Sequence, residues 1–426
     1  MPEILAKLVY ILGIFFINPL VLSRYKELKK TEFLSDQHLN EIQERKLNAL
    51  LHHAKETSPY YRSLLADLDI DSISLTNLDK IPVLSKETLR TQSSKIYSDK
   101  YSSDQLIKSE TSGSTGDAFV FFRDKNWDAC HRAVIWRGLN QYGVEPWERN
   151  LYLWGFVFTK SAKIRVKLLD FLQNRFRIFQ INEFEIERNL KKIRNARFIS
   201  GYSSVIDTLV GLVEGRGKSL PKLKLLKGTS EKIYDSYQKR ALRVLGLPIV
   251  SEYGAAETGI ISYTCPFGRD HTIRENIILE TVNGRAVITN LESYSMPIIR
   301  YDLGDYIEVE HVTCECGRHS QVVKDILGRV GVNIFGEKNE YPSLSLYYIF
   351  KELALVQNMS LSYQGVQEVK GRLKILIFED ASCFDARVVE EVAVKYLPDV
   401  EVHVMQAELD TRQSKLKDFV SFVETN

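Results

Sequence analysis

The stretch Thr111-Ser112-Gly113-Ser114-Thr115-Gly116 constrains the fold most, because a run of glycines and hydroxyls has almost no apolar surface with which to join a core. It must lie in a loop. Small side chains let the backbone approach an anion closely, amide hydrogens can converge there, and Ser112, Ser114 and Thr115 add hydroxyl donors. The segment therefore suits phosphate, although an ordinary polar turn has the same composition. The Walker pattern is excluded, since no Gly-Lys-Ser/Thr follows.

Further segments narrow the choice. Ser251-Glu252-Tyr253-Gly254-Ala255-Ala256-Glu257-Thr258-Gly259 follows an apolar run at 245–250, and Arg300-Tyr301-Asp302-Leu303-Gly304-Asp305 and Leu327-Gly328-Arg329 come after it. Upstream lie His52-His53-Ala54, Ser58-Pro59-Tyr60-Tyr61-Arg62 and Ile81-Pro82-Val83-Leu84-Ser85-Lys86. In this order and spacing the segments resemble the adenylate-forming, AMP-binding superfamily. Within it they are most like the phenylacetate-CoA ligase branch and its relatives in capsule and O-antigen biosynthesis. The resemblance runs from about residue 35 to the C-terminus.

It implies an α/β fold with a large adenylate-forming domain of β-sheets and packed helices over 31–328. A small α+β lid over 329–426 would hinge near Leu327-Gly328-Arg329 and rotate between the two half-reactions. The hydropathy pattern agrees with an α/β chain. Helical spacing covers 37–53, 127–142, 184–193, 205–215 and 233–244, and short strands fit 119–122, 150–154, 198–200, 223–227, 248–251 and 286–289. Past the hinge the pattern gives helices at 347–355 and 386–396, with strands at 360–364, 373–378 and 401–405.

Composition sets the class without naming a function. A chain of 426 residues that is 44% hydrophobic has core enough for two domains, and a net charge of +2 gives no reason to expect nucleic acid. Five cysteines in that length do not make a disulfide framework, so a reducing compartment is expected, as ATP chemistry also requires.

The N-terminus departs from this pattern. Residues 4–22 are almost wholly apolar, broken only by Lys7, Gly13, Asn18 and Pro19, and Arg24, Lys26, Lys29 and Lys30 follow. The run is marginal for a membrane span, and Asn18-Pro19 would break a helix near its end. No small-residue cleavage site of a signal peptide follows it. Residues 1–30 are expected to attach the protein to the cytoplasmic face of a membrane as an interfacial or re-entrant segment. A helix docked on the protein body would show the same composition.

The resemblance also implies a site. Thr111, Ser112, Gly113, Ser114, Thr115 and Gly116 would hold phosphates, Tyr253 with Gly254 would lie beside the adenine, and Asp305 would bind the ribose hydroxyls. Glu257 matches the magnesium-binding glutamate, Glu231 the adenine-loop glutamate, and Arg329 the arginine near ribose or phosphate. Lys415, in Asp410-Thr411-Arg412-Gln413-Ser414-Lys415, matches the adenylation lysine, a mobile point charge for an α-phosphate under attack. Four departures stand out. Asp117 replaces a common lysine, Ala256 a threonine, Gly331 an aspartate and Ser414 a glycine.

A second constellation concerns metal. Cys265, His271, Cys314 and Cys316 supply three thiols and an imidazole, enough for a closed tetrahedral zinc site of structural type. The resembling branch carries similar Cys-x-Cys-Gly elements. Two unrelated turns with reduced cysteines would read the same way, because Cys-x-Cys is tighter than the usual zinc spacing.

The acyl pocket of the superfamily would draw on 150–181, which holds Trp154, Phe156, Phe158, Phe171, Phe176 and Phe179 beside Lys160, Lys163, Arg165 and Lys167. Aromatic lining suits an aryl acid, a sugar face or plain core.

The expected activity is an AMP-producing ligase that uses ATP and Mg2+ to activate an amino acid or uronic acid for amide formation in capsule or O-antigen synthesis. The alternatives are an acyl- or aryl-CoA ligase, which alone would need CoA, and a non-catalytic nucleotide-binding protein. The partners are a small-molecule carboxylate, an amine or thiol acceptor, and a membrane surface.

Overall fold

The computed structural model describes residues 2–110, 119–153, 160–178, 183–329, 333–408 and 417–423. The chain forms two compact units, Met1–Glu148 with Val250–Asp325, and Arg149–Ile249 with Ile326–Asn426.

The first unit opens with three helices, α1 (Glu3–Ile17), α2 (Leu20–Thr31) and α3 (Asp36–Thr57). Ser35 caps α3 by accepting from the His38 amide, and Leu39, Leu47, Leu50, Leu51 and Ala54 recur on its buried side. Gln43 also lies on that side and donates to the Ile277 carbonyl at 2.8 Å, so the core position loses no hydrogen bond.

The strands of this unit run in the spatial order Ile277–Val282, Arg285–Asn290, Ile298–Thr313, His319–Arg329, Asp270–Thr272, Gly259–Thr264 and Ile249–Ala255. Ile298–Thr313 is the long strand. The helix Lys125–Asn140, capped by Asp124 on the Trp127 amide at 2.9 Å, packs against Gly259–Thr264. The approach is close, since a Cβ at Gly138 would sit 2.5 Å from the Tyr263 ring. Arg137 and Glu275 form a buried ion pair at 2.5 Å, and Arg137 also donates to the Leu28 carbonyl at 3.1 Å, tying α2 to this helix.

The second unit contains the parallel strands Leu225–Thr229, Phe198–Tyr202, Asn150–Leu153 and Arg175–Arg177, neighbours in that order. Every residue of Phe198–Tyr202 is buried, as a parallel strand covered on both faces requires. A second sheet orders Glu401–Gln406, Arg372–Ile377, Tyr363–Val369 and Phe419–Ser421, with helices Leu344–Val356 and Ala386–Tyr396 beside it. One hydrophobic cluster runs through both sets of strands. Tyr234 helps join them, its ring edge-on to Tyr363 and its hydroxyl donating to Asp418 at 3.1 Å.

The fold is the mixed α/β arrangement that the hydropathy pattern indicates, with local differences. The strand expected from 360 begins at Tyr363, because the Ser362 amide and hydroxyl turn instead to Glu379 at 2.9 and 2.6 Å. The helix Lys160–Leu172 and the long strand were not expected.

Alanine normally stabilises an exposed helix interior over glycine by about 1 kcal/mol. Gly138→Ala is expected to reverse that sign and cost about 1–3 kcal/mol through overpacking against Tyr263. Thermal unfolding checks this; a raised midpoint would contradict the close packing.

Candidate functional site

The expected phosphate loop, Thr111 to Gly116 with Asp117, lies outside the described residues, as do Ser414 and Lys415. Its flanks are described: Ile107–Glu110 pairs antiparallel with Val120–Arg123, so that Glu110 and Val120 are cross-strand partners. Arg329 ends the strand His319–Arg329. Trp154, Phe156, Phe158, Phe179 and Gly331 also fall outside the described residues.

The structure joins Tyr253 to Asp305 and, separately, Glu257 to Tyr301. The Tyr253 hydroxyl, on Ile249–Ala255, donates to Asp305 Oδ2 on the long strand at 3.0 Å. In return, the Tyr301 hydroxyl on the long strand donates to Glu257 Oε1 at 3.0 Å. All four side chains are buried, Glu257 at 8% exposure and Tyr301 at 1%. Each carboxylate thus has a phenol donor from the opposite segment, which offsets part of its desolvation.

The local backbone explains how the exchange is reached. A Cβ at Gly254 would meet the Gly259 carbonyl at 2.3 Å, so only glycine allows the hairpin to close this tightly ahead of Glu257. On the long strand, Arg300 holds a left-handed φ of +51°. Its guanidinium is fixed by Glu280 at 3.0 Å and by the Asp79 and Ile81 carbonyls.

Residues that the sequence resemblance left without a role build this support. Leu84 pairs with the long strand, its amide donating to the Arg300 carbonyl at 2.8 Å and its carbonyl accepting from Asp302 at 2.9 Å. The Tyr61 hydroxyl donates to the Pro297 carbonyl at 3.1 Å, and His53 Nε2 bonds the Tyr294 carbonyl at 2.9 Å. The upstream signatures around His53, Tyr61 and Leu84 therefore brace the approach to Tyr301 and Asp305. Tyr301 itself lay inside a recognised motif, but only its contact with Glu257 reveals what it does.

Glu231 belongs to the other unit. Its carboxylate accepts from the Ser204 amide at 2.9 Å and the Ser204 hydroxyl at 2.6 Å, at the start of the helix Ser203–Gly215. The contact satisfies an amide in the helix's first turn, and the adjoining Ser230 has a left-handed φ of +67°.

The metal constellation also comes together. The candidate ligand atoms of Cys265, His271, Cys314 and Cys316 all lie within 4.8 Å of one another. Cys265 and Cys314 sulfurs are 3.8 Å apart, and Cys316 Sγ is 3.3 Å from His271 Nε2. Zinc–sulfur bonds of about 2.3 Å in a tetrahedron separate two sulfurs by about 3.8 Å, which is the separation of Cys265 and Cys314.

The two cysteine turns are alike. Cys265 donates to the Arg269 carbonyl and accepts from Gly268; Cys314 donates to the Arg318 carbonyl and accepts from Gly317. Gly268 and Gly317 have φ of +75° and +86°, where glycine avoids strain.

Burial, aided by Arg318 and Arg269, holds the His271 pKa down at about 4, so the imidazole stays neutral and able to ligate. Burial pushes the Cys265 thiol up to about 11. At Cys316 burial acts in the same direction, but hydrogen bonds from Arg318 outweigh it and the thiol pKa falls. A bound dication would draw the thiols toward thiolate.

No protein-family model matches the chain. Two curated proteins are similar to it. Protein CapK of Staphylococcus aureus is 21% identical over 367 residues, covering 80% of this chain and 78% of that protein. Phenylacetate-coenzyme A ligase of Thermus thermophilus is 26% identical over 349 residues, covering 74% and 77%.

Among solved structures, 2-hydroxyisobutyryl-CoA ligase in the postadenylation state with 2-HIB-AMP superposes with a TM-score of 0.69 at 15% identity, covering 91% of this chain and 90% of that one. The acyl acid amido synthetase AtGH3.15 gives a TM-score of 0.55 at 14% identity over 91% and 89%. These likenesses establish the fold. In sequence the chain is similar, over about three quarters of its length, to a capsule protein and to a phenylacetate-coenzyme A ligase, and its fold is that of adenylate-forming ligases.

Proposed function

We propose that this protein joins a carboxylate to ATP as an acyl-adenylate, releases pyrophosphate, and passes the acyl group to an amine, forming an amide in capsular polysaccharide or O-antigen synthesis. The observation that supports this most directly is the reciprocal pairing of Tyr253 with Asp305 and of Tyr301 with Glu257, which holds each buried carboxylate against a phenol from the opposite segment.

A free carboxylate resists amines because hydroxide is a poor leaving group. In the first step a carboxylate oxygen attacks the α-phosphorus of ATP, a P–O bond forms, the bond to the β-phosphate's bridging oxygen breaks, and pyrophosphate departs. In the second, the amine nitrogen attacks the acyl carbon, the C–O bond to AMP breaks, and the amine releases a proton.

In this assignment the Tyr253 ring lies against adenine and Gly254 leaves it room. Asp305 accepts from the ribose hydroxyls, while Glu231 and Arg329 frame the nucleotide. Thr111, Ser112, Gly113, Ser114, Thr115 and Gly116 hold the phosphates. Glu257 offers the hard oxygen that magnesium takes, and the ion would offset phosphate charge there. Lys415 brings a cation to the α-phosphate. The acid is an amino acid or uronic acid. ATP sets the reaction in the cytoplasm, where the N-terminal helices hold the protein at the inner face of the membrane.

A second acceptor has a specific observation behind it. Coenzyme A would suit the likeness to phenylacetate-coenzyme A ligase, whereas CapK favours capsule chemistry and the shared fold with an acyl acid amido synthetase admits an amine.

Pyrophosphate release from Mg-ATP is expected with at least one member of a panel of amino acids, uronic acids and aryl acids. Lys415→Ala should lower it by roughly a hundredfold or more, as loss of a transition-state charge contact does. Adenylate consumed by amines but not by coenzyme A supports the amide assignment, and the converse selects the thioester. Silence across the panel would overturn adenylation of a soluble acid.

The cysteine–histidine cluster is assigned a structural zinc. Freshly purified, unchelated protein is expected to carry about one zinc per chain. Cys316→Ser should lower both the zinc content and the unfolding midpoint. Metal-free protein with an unchanged midpoint would contradict the assignment.

A further inference from the structure

α1 has two apolar faces, and only one is used. On the inner side Ala6 and Ile14 join Val21, Ala129, Trp136 and Trp147 in a cluster, and Tyr10 sets its ring edge against Trp136 at 6.1 Å. On the outer side Ile4, Leu5, Leu8, Leu12, Phe15 and Phe16 fall within a single arc of the helix. All six are exposed, Ile4 at 78%, Leu8 and Leu12 at 55%, and Phe16 at 80%. A contiguous stripe of this kind is uncommon on a soluble surface and marks a contact.

Polar contacts at the C-terminal end of α1 tie it to the body of this unit. Asn18, buried at the break, donates to the Lys125 carbonyl at 2.7 Å and to Asp128 Oδ2 at 3.3 Å, and α2 turns away from α1 by 108°. Among the described residues no single helix is long and apolar enough to cross a membrane.

Charge selects the occupant. Lys26, Lys29 and Lys30 are exposed on α2, whereas the only acid on α1 is Glu3 in its first turn. The acids near the lysines are engaged, Glu27 with Arg24, and Glu32 with Lys29 and Arg318. The outer stripe has no hydrogen-bonding side chain, which suits fluid acyl chains better than the polar rim of a protein interface.

We propose that α1 lies in the plane of an anionic lipid surface, its outer stripe sunk to the acyl boundary and its inner face kept on the Lys125–Asn140 helix, while Lys26 and Lys30 meet the headgroups. This deepens the membrane attachment proposed above and rests on that part alone, not on the adenylation chemistry. The helix acts as a half-docked float.

The test uses the full chain with vesicles of phosphatidylglycerol and phosphatidylethanolamine, compared with pure phosphatidylcholine. Wild-type protein is expected to sediment with the anionic vesicles. Leu12→Ser combined with Phe16→Ser should weaken binding by at least about tenfold, since two exposed apolar groups lose their burial. Lys26→Ala with Lys30→Ala should weaken it about tenfold or more on anionic vesicles, and added salt should do the same.

Phe16→Trp provides an independent measurement, because shallow brominated lipids should quench its fluorescence. Pyrophosphate release by the Leu12→Ser, Phe16→Ser protein should match wild type, which separates a lost surface from a lost active site. Vesicle binding that survives both double variants, or absent quenching at Phe16→Trp, would overturn the proposal. So would a lipid-free dimer that the apolar double variant converts to monomer, since the stripe would then seat a second copy.

Discussion

Two tyrosines and two carboxylates, exchanged between the segment Ile249–Ala255 with its turn and the long strand, are the constraint on which the site depends. A buried carboxylate without a partner costs several kcal/mol, and one accepting a phenol donor costs far less. Tyr253 serves the acid of the long strand, and Tyr301 serves the acid beside its partner. Each carboxylate is therefore held by a donor from the opposite segment, so that under the proposed assignment ribose and cation would meet groups whose geometry is already set.

That exchange requires unusual backbone on both sides. Gly254 has no room for a side chain against Gly259, and Arg300 occupies a left-handed conformation secured by Glu280 and two carbonyls. The upstream signatures contact this backbone or the approach to it. Leu84 runs beside Arg300, and Tyr61 holds both the Pro297 carbonyl and the Ile299 amide, so these segments act on the site through the long strand rather than by touching its cluster.

Much of this was legible in the sequence, and what was missed has physical reasons. Helices such as Asp36–Thr57 and Ala386–Tyr396 carry clear apolar periodicity and caps, and the metal cluster was readable because cysteine and histidine are chemically distinctive. The long strand was hidden because Gly304 and two aspartates interrupt its alternation, and its partners lie far away along the chain. Glu231 could be seen as a motif acid, but its bond to Ser204 could not. The exposure of α1 was equally invisible, since a doubly apolar helix reads the same whether one face or both are covered. In the structure the end of α2 is pinned where Glu32 meets Arg318, whose guanidinium lies 5.2 Å from the Phe33 ring. The turn bearing Cys316 thereby also secures the N-terminal helices.

Calorimetric titration of a non-hydrolysable ATP analogue with magnesium into wild type, Tyr253→Phe, Asp305→Asn and the double variant measures the coupling directly. If the Tyr253 hydroxyl works by positioning Asp305, Tyr253→Phe should weaken binding by roughly tenfold, Asp305→Asn by more, and the double variant no further than Asp305→Asn. Fully additive losses, or affinity unchanged in every variant, would contradict the account.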